Sequence, residues 1–353
     1  MLKKTILIYF LILYVIIISA CNSTGPTENN GNGQDTTSHN FSWQTFSFGE
    51  HSSSILYDVA IINDTSIWAV GEIYLNDSLG SSDPTPYNAI HWNGSEWNIE
   101  RIPTKTFSGS LVSSQIRTIL CFDKNNIWTF SVAGSYSHWD GNNWESEFVS
   151  ERIGSGNKIW GESSSDIYLV CNNGGISHYD GTKWEKIDTG LDLDIYDIWG
   201  AKTASGDYEI LCVASDQFKG TGKKVLQIKN NIVNTLPDTG LSNSLNTIWF
   251  VPGKKYFIGG DGLFSSQSLG TNWTRNTELP AYYKTSVRGN DLNDLFVAGA
   301  YGLLLHYNGQ SWMNYQDITY ISGSYGKVDI KGDFVCVVGN NNNQAAIIIG
   351  KRQ

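Results

Sequence analysis

An internal repeat constrains this chain more than any other feature. Three segments show it best: NIWTFSVAGSYSHWDGNNW from Asn126 to Trp144, DIYLVCNNGGISHYDGTKW from Asp166 to Trp184, and DLFVAGAYGLLLHYNGQSW from Asp294 to Trp312. Each reads as an alternating strand, a short Gly-bearing loop, a second alternating strand, an Asp-Gly or Asn-Gly turn, and a strand carrying Trp. Apolar and polar residues that alternate with a period of two give a strand one buried face, and Gly beside Asx residues breaks the chain between strands. A further strand precedes each unit, as in KIWG from Lys158, DIWG from Asp197 and TIWF from Thr247. The unit is therefore four short antiparallel strands, which cannot bury their apolar faces unless neighbouring units stack.

Fourth-strand positions fall at Trp43, Trp97, Trp144, Trp184, Ile232, Trp273 and Trp312, and first strands begin near Tyr57, Arg117, Asn157, Tyr196, Asn246, Thr285 and Val328. Both sets number seven. The ends are complementary: FSWQTFSF around Trp43 is a fourth strand with no partners before it, while KVDIKG, DFVCVVG and AAIIIG supply three strands near the C-terminus. A blade built from both ends closes a ring and removes the exposed edges of an open array. The expected fold is all-β, a seven-bladed β-propeller over residues 41–353 with a spacing of about 45 residues per blade. A linear β-solenoid is the alternative, but it would not need the split unit.

Residues 1–20 have the order of a secretory signal. Lys3 and Lys4 come first, then an uncharged apolar run from Thr5 to Ile18, then Ser19, Ala20 and Cys21. This ending resembles the lipobox of bacterial lipoproteins, which implies cleavage before Cys21 and lipidation (palmitate among the chains) of its thiol. An uncleaved membrane anchor fits less well, since the run is shorter than the ~20 apolar residues a spanning helix needs. Residues 21–40 are rich in Asn, Ser, Thr, Gly and Gln and read as a flexible tether. Asn22 follows the cysteine in place of the Asp that retains some lipoproteins in the inner membrane, so the expected location is the cell envelope, with the outer membrane favoured.

The formal charge is −10, and it becomes −12 once Lys3 and Lys4 leave with the signal. Nucleic acid is thereby excluded as a partner, because binding it requires a basic footprint. Self-repulsion favours a monomer. Cys121, Cys171, Cys212 and Cys336 lie at different registers of predicted strands with no CxxC spacing, and read as small buried hydrophobes rather than bridged pairs or metal ligands. No cofactor and no metal site is expected.

The unit written IWG…DIY.V…G.I.HYDG..W resembles the repeats of secreted bacterial β-propellers of the BNR/sialidase, kelch and two-component-regulator groups. That resemblance covers essentially the whole mature chain. It implies architecture rather than activity, because those propellers include hydrolases, sensors, assembly factors and binding modules.

Several residues invite a chemical reading that the repeat explains more simply. Asp140-Gly141, Asp180-Gly181, Asn93-Gly94 and Asn308-Gly309 are read as two-residue hairpin turns with positive φ at both central positions. His91, His138, His178 and His306 share one repeat position, too far apart around a ring to hold a common metal. The fourth-strand Trp residues could form a sugar-stacking platform, but one per blade reads as the wedge between blades. SHYDGTKW is near the sialidase Asp-box with its Asp one place late, and Glu100-Arg101-Ile102-Pro103 resembles the sialidase Arg-Ile-Pro motif in the wrong place. A sialidase also needs three converging arginines, and the mature chain has six in all: Arg101, Arg117, Arg152, Arg275, Arg288 and Arg352. No catalytic constellation follows.

Candidate binding residues are those that break the repeat. They comprise Tyr74 and Tyr87 in an insertion over 72–87, Phe218 and Lys219 in one over 215–224, and Tyr57, Arg117, Tyr196, Asp197, Tyr283 and Lys284 where blades open onto the channel mouth. Tyr with scattered charge is a recognition composition. The expected function is a non-catalytic envelope lipoprotein presenting this face to a protein or glycan. The alternatives are a glycan-active enzyme using carboxylates such as Asp58 and Asp197 at the mouth, or an assembly factor for a membrane complex. Replacing Cys21 with Ser should move the protein from the membrane fraction to the soluble fraction; retention in membranes would refute the lipobox.

Overall fold

The structure, a computed structural model, describes residues 35–149, 154–217 and 220–353. Cys21, most of the predicted tether, Phe218 and Lys219 lie outside the described residues. The described chain forms a seven-bladed β-propeller of seven four-stranded antiparallel sheets. Blades one to six run in chain order over residues 55–100, 116–148, 156–187, 194–236, 245–275 and 284–314. Blade seven takes Ser324–Lys331, Phe334–Asn341 and Gln344–Arg352 from the C-terminal end and Phe41–Phe48 from the N-terminal end. The first strand of each blade touches the first strands on either side, and blade seven meets blade one. A solenoid would not close in this way.

Seven apolar clusters hold the ring, one at each junction between blades. The first joins Trp68 of blade one to Ile116, Ile119 and Ile127 of blade two, and the last joins Val338 and Ile347 of blade seven to Leu56 and Ile67 of blade one. Trp43, Trp97, Trp144, Trp184, Trp273 and Trp312 all pack into these clusters, as a wedge should. Ile232 does not; at 62% exposure it leaves the blade-four edge to Val233.

Closure is by continuous pairing from Phe41↔Arg352 to Phe48↔Ala345. Trp43 crosses over Gly350, where an added Cβ would lie 2.4 Å from the indole ring, so this strand requires glycine. Residues 35–40, expected in the tether, lie along blade six. Thr37 donates to the Asn293 carbonyl at 2.6 Å, the Asn293 amide donates to the Asp35 carbonyl at 2.9 Å, and Arg352 donates to the Ser38 carbonyl at 2.6 Å.

The Asx-Gly turns differ from the predicted form. Four residues, as in Asp180-Gly181-Thr182-Lys183, link the paired Tyr179 and Trp184. Only the glycine has positive φ, 93° at Gly181 and 95° at Gly309. The Asp180 carboxylate accepts the amides of Thr182 and Lys183 at 2.8 and 3.0 Å, so the Asx side chain, not a left-handed backbone, closes the turn. Among the described residues the four cysteines are free, with Cys171, Cys212 and Cys336 buried.

The shared histidine position is a packing cassette. His91, His138, His178 and His306 stack on Trp68, Trp128, Tyr168 and Phe296 with ring centroids 4.2–4.5 Å apart. Each also bonds through Nε2 to the residue that opens the second strand: Ser66, Asn126, Asp166 and Asp294 at 2.6–3.1 Å.

At the closing blade this cassette extends into a chain. The Ser311 hydroxyl donates to His39 Nε2 (3.1 Å), His39 Nδ1–H donates to His306 Nδ1 (2.8 Å), and His306 Nε2–H donates to Asp294 Oδ1 (2.9 Å). Arg352 completes it with two bonds to Asp294 at 2.5 and 2.6 Å. One set of neutral tautomers satisfies every bond, and protonating His306 sets its Nδ1–H against that of His39. Burial, then His306 and Arg352, push His39 down from 6.5 to about 4. Burial also lowers His306 despite Asp294. A folded-state value below the unfolded one means stability fully present above pH 6.5 and lost as pH falls toward about 4. Thermal melts should therefore show a midpoint that declines over that window, and His39→Gln should lower the pH 7 midpoint while flattening the decline. An equal slope in the variant would refute the assignment.

Candidate functional site

Every first strand carries a β-bulge at the same point, where one extra residue is inserted against the second strand. The bulged residues are Tyr57, Arg117, Asn157, Tyr196, Asn246, Thr285 and Gly326, and they ring the mouth on the face of the 2→3 loops. A bulge re-aims the side chains beside it. Here the residues that follow form a second ring below: Asp58, Thr118, Lys158, Asp197, Thr247, Ser286 and Lys327.

Side chains of this lower ring, together with Asp329, form a belt that accepts backbone amides across six of the seven blade junctions; Lys158 supplies no acceptor to blade four. Asp58 accepts the Ile119 amide of blade two at 3.0 Å, and Thr118 accepts the Ile159 amide of blade three at 3.0 Å. Asp197, Thr247 and Ser286 accept the amides of Ile248, Val287 and Val328 at 3.0, 3.1 and 3.2 Å. Asp329 accepts the Ile61 amide across the closing junction at 2.8 Å. Where the ring position is lysine, it neutralises carboxylates: Lys158 sits 2.6 Å from Asp58, and Lys327 lies 3.9 Å from Asp197. Arg288 clamps Asp197 with two bonds at 2.8 and 3.0 Å while stacked 5.0 Å from the Trp199 ring. Three acids thus face three bases in a buried, charge-balanced plug.

Burial alone would raise the Asp197 carboxyl, but Arg288 and then Lys327 hold it far below the usual range. Burial dominates at Asp329, whose carboxyl is raised, and at Lys327, whose amine is lowered. Asp58 and Asp197, the carboxylates considered for catalysis, are 1% and 0% exposed and accept bonds from both backbone and cation.

Above the belt, the candidate residues divide into two groups. In the first, Arg117 lies 4.2 Å over the Tyr57 ring, and the hydroxyls of Tyr57 and Tyr74 donate to the two oxygens of Glu72 at 3.3 Å each. Tyr87, farther out, carries Arg101 at 4.0 Å, which is paired with Asp83 at 2.6 Å. In the second, Tyr196 donates to Asp194 at 3.3 Å and Tyr283 shares a 3.1 Å bond with Ser244. Burial and Asp194 raise the Tyr196 phenol, so it stays a neutral donor. Two candidates belong to the framework instead. Asp197 is in the belt, and Lys284, 2% exposed, donates to the Pro280 carbonyl, burial having pushed its amine down to about 8.

Sequence reasoning missed Lys158, Arg288, Lys327 and Asp329 because a charge in an alternating strand reads as solvent-facing. The signal was the ring itself: the position after each bulge is polar in all seven blades. Glu72 was included only as the end of an insertion.

No family model matches the chain, and no curated protein matches it. Solved structures do. A structure of YCF48 bound to a D1 peptide superposes with a TM-score of 0.62 at 15% identity, covering 88% of this chain and 95% of that one. YCF48 from Cyanidioschyzon merolae gives 0.60 at 13% identity, covering 88% and 98%. The WD40 propeller domain of Doa1 gives 0.61 at 11% identity, covering 88% and 97%.

Truncating Asp197 to Ala would leave Arg288 buried and unpaired, and denaturant unfolding should show a loss of about 3–5 kcal/mol. A loss under about 1 kcal/mol would remove the belt from the account of stability. The likenesses to these solved structures show the fold of the chain, a β-propeller.

Proposed function

We propose that the chain is a lipid-anchored envelope protein, in the outer membrane, that uses the 2→3 loop face as a non-catalytic binding surface for a protein or glycan. The observation that carries this reading is the mouth itself. Tyr57, Arg117, Glu72 and Tyr74 form one linked aromatic-charged patch, Tyr196 and Tyr283 stand in a second, and both rest on a plug with no net charge. Rigid aromatic rings with a polar tip offer contact area at low entropic cost. A similar scaffold, YCF48, has been described holding a peptide, which supports this way of using a propeller without identifying the partner. The carboxylates named for a glycan-active site lend that alternative no support, because cations and amides already hold them.

Crosslinking in intact envelopes followed by affinity capture tests the proposal. Wild type and a Tyr57→Ala/Tyr74→Ala/Arg117→Ala variant with an unchanged melt should differ about tenfold in recovery of the same partner. Equal recovery would move the binding surface elsewhere.

A further inference from the structure

Blade five breaks the histidine cassette in one specific way. By strand register, Phe257 occupies the position of Trp68, Trp128, Tyr168 and Phe296, so the aromatic floor is kept. Its cross-strand partner is Ser265 where those blades place histidine, and Lys255 stands where they place Ser66, Asn126, Asp166 or Asp294. Leu263 stands where blades one, three and six place Ala89, Ile176 and Leu304 and blade two places Tyr136.

The missing imidazole leaves a cleft. A cavity of about 230 Å³ opens between blades five and six, with Phe257, Phe264, Tyr307 and Trp312 on its walls. A second hollow of about 210 Å³ adjoins it through Asn276. Trp97, Trp144 and Trp184 are covered by a ring from the preceding blade, Phe46, Trp68 and Tyr136 in turn, at 6.0–6.1 Å, whereas Trp273 has no ring contact among the described residues. Among the described residues, the only ring against Trp312 is Tyr307 of its own blade, at 4.9 Å.

The rim is chemically open. Lys255 Nζ lies 5.1 Å from the Phe257 ring centre, half-buried, with no carboxylate partner among the described residues. Among the described residues, the side chains of Glu278 and Gln310 and the Trp312 indole N–H make no hydrogen bond. The cleft thus offers aromatic walls edged by free donors and acceptors of both kinds. An anion would meet Glu278, and an aliphatic or phenyl guest would leave the rim unmatched. A pyranose ring satisfies both demands: its C–H face stacks on an aromatic wall and its equatorial hydroxyls each donate and accept.

We infer that the blade-five/blade-six cleft is a saccharide-binding site, separate from the loop face and open to an oligosaccharide through the adjoining hollow. The test is titration of the detergent-solubilised full-length protein with cellohexaose, chitohexaose and maltohexaose, read by calorimetry and by saturation transfer to the sugar protons. At least one should bind, and Trp312→Ala should weaken it about tenfold. Because that variant could also unfold, the deciding one is Ser265→His/Lys255→Asp, which installs the cassette of blades one, two, three and six and fills the cleft. It should keep or raise the melting temperature and abolish binding. The Tyr57→Ala/Tyr74→Ala/Arg117→Ala variant should bind sugar as wild type does. Binding of none of the three sugars overturns the inference, as does undiminished binding by the refilled variant. Loss confined to the loop-face variant would place the sugar at the mouth and overturn it equally.

Discussion

The ring depends on a plug of charge at its centre. Seven twisted sheets packed radially bring their first strands together edge-on, and each strand leaves backbone amides facing the axis that no sheet partner can take. Buried amides without acceptors cost on the order of 1–3 kcal/mol each. Side chains of the neighbouring blade supply the acceptors: Asp58, Thr118, Asp197, Thr247, Ser286 and Asp329. Three of these are carboxylates, and burying them without counter-charge would be prohibitive. Lys158, Arg288 and Lys327 are therefore part of the same solution. The bulge in each first strand makes the belt possible, because it turns the following side chain toward the next blade.

Below the mouth, charge is spent on structure. Above it, the repeat relaxes, and residues such as Tyr57, Tyr74 and Tyr196 keep their hydroxyls near the surface on local carboxylate partners. A surface of this kind can vary without disturbing the ring, because the belt and the seven junction clusters carry the stability. The same separation applies at the rim. Blade five gives up a histidine stack and retains its place in the ring, since Trp249, Phe257 and Leu263 still pack against blade six. What it loses is the outer layer, and that loss is the cleft.

Closure joins the two ends by unlike means. Eight residue pairs zip Phe41–Phe48 onto the C-terminal strand, while His39, His306, Asp294 and Arg352 lock the approach to it. The first is insensitive to pH. The second depends on two neutral imidazoles, which makes the seam the acid-labile part of the molecule.

The sequence by itself determined the blade count, the four-strand unit and the blade shared between the ends. These follow from alternation, turn residues and spacing, which act over a few residues and need no knowledge of neighbours. The Asx-Gly motif located its turns correctly but not their geometry, since the same dipeptide serves a two-residue hairpin and a side-chain-closed turn of four. Only the tertiary structure decided which charges meet. Lys158 and Asp58 are 100 positions apart, and Arg288 and Asp197 are 91. Neither pair is local in any strand or hairpin, and they are joined only because seven first strands converge on one axis. The cleft has the same origin. A serine in place of a histidine is silent in the chain, and it becomes a cavity only when Trp312 of the next blade forms the facing wall.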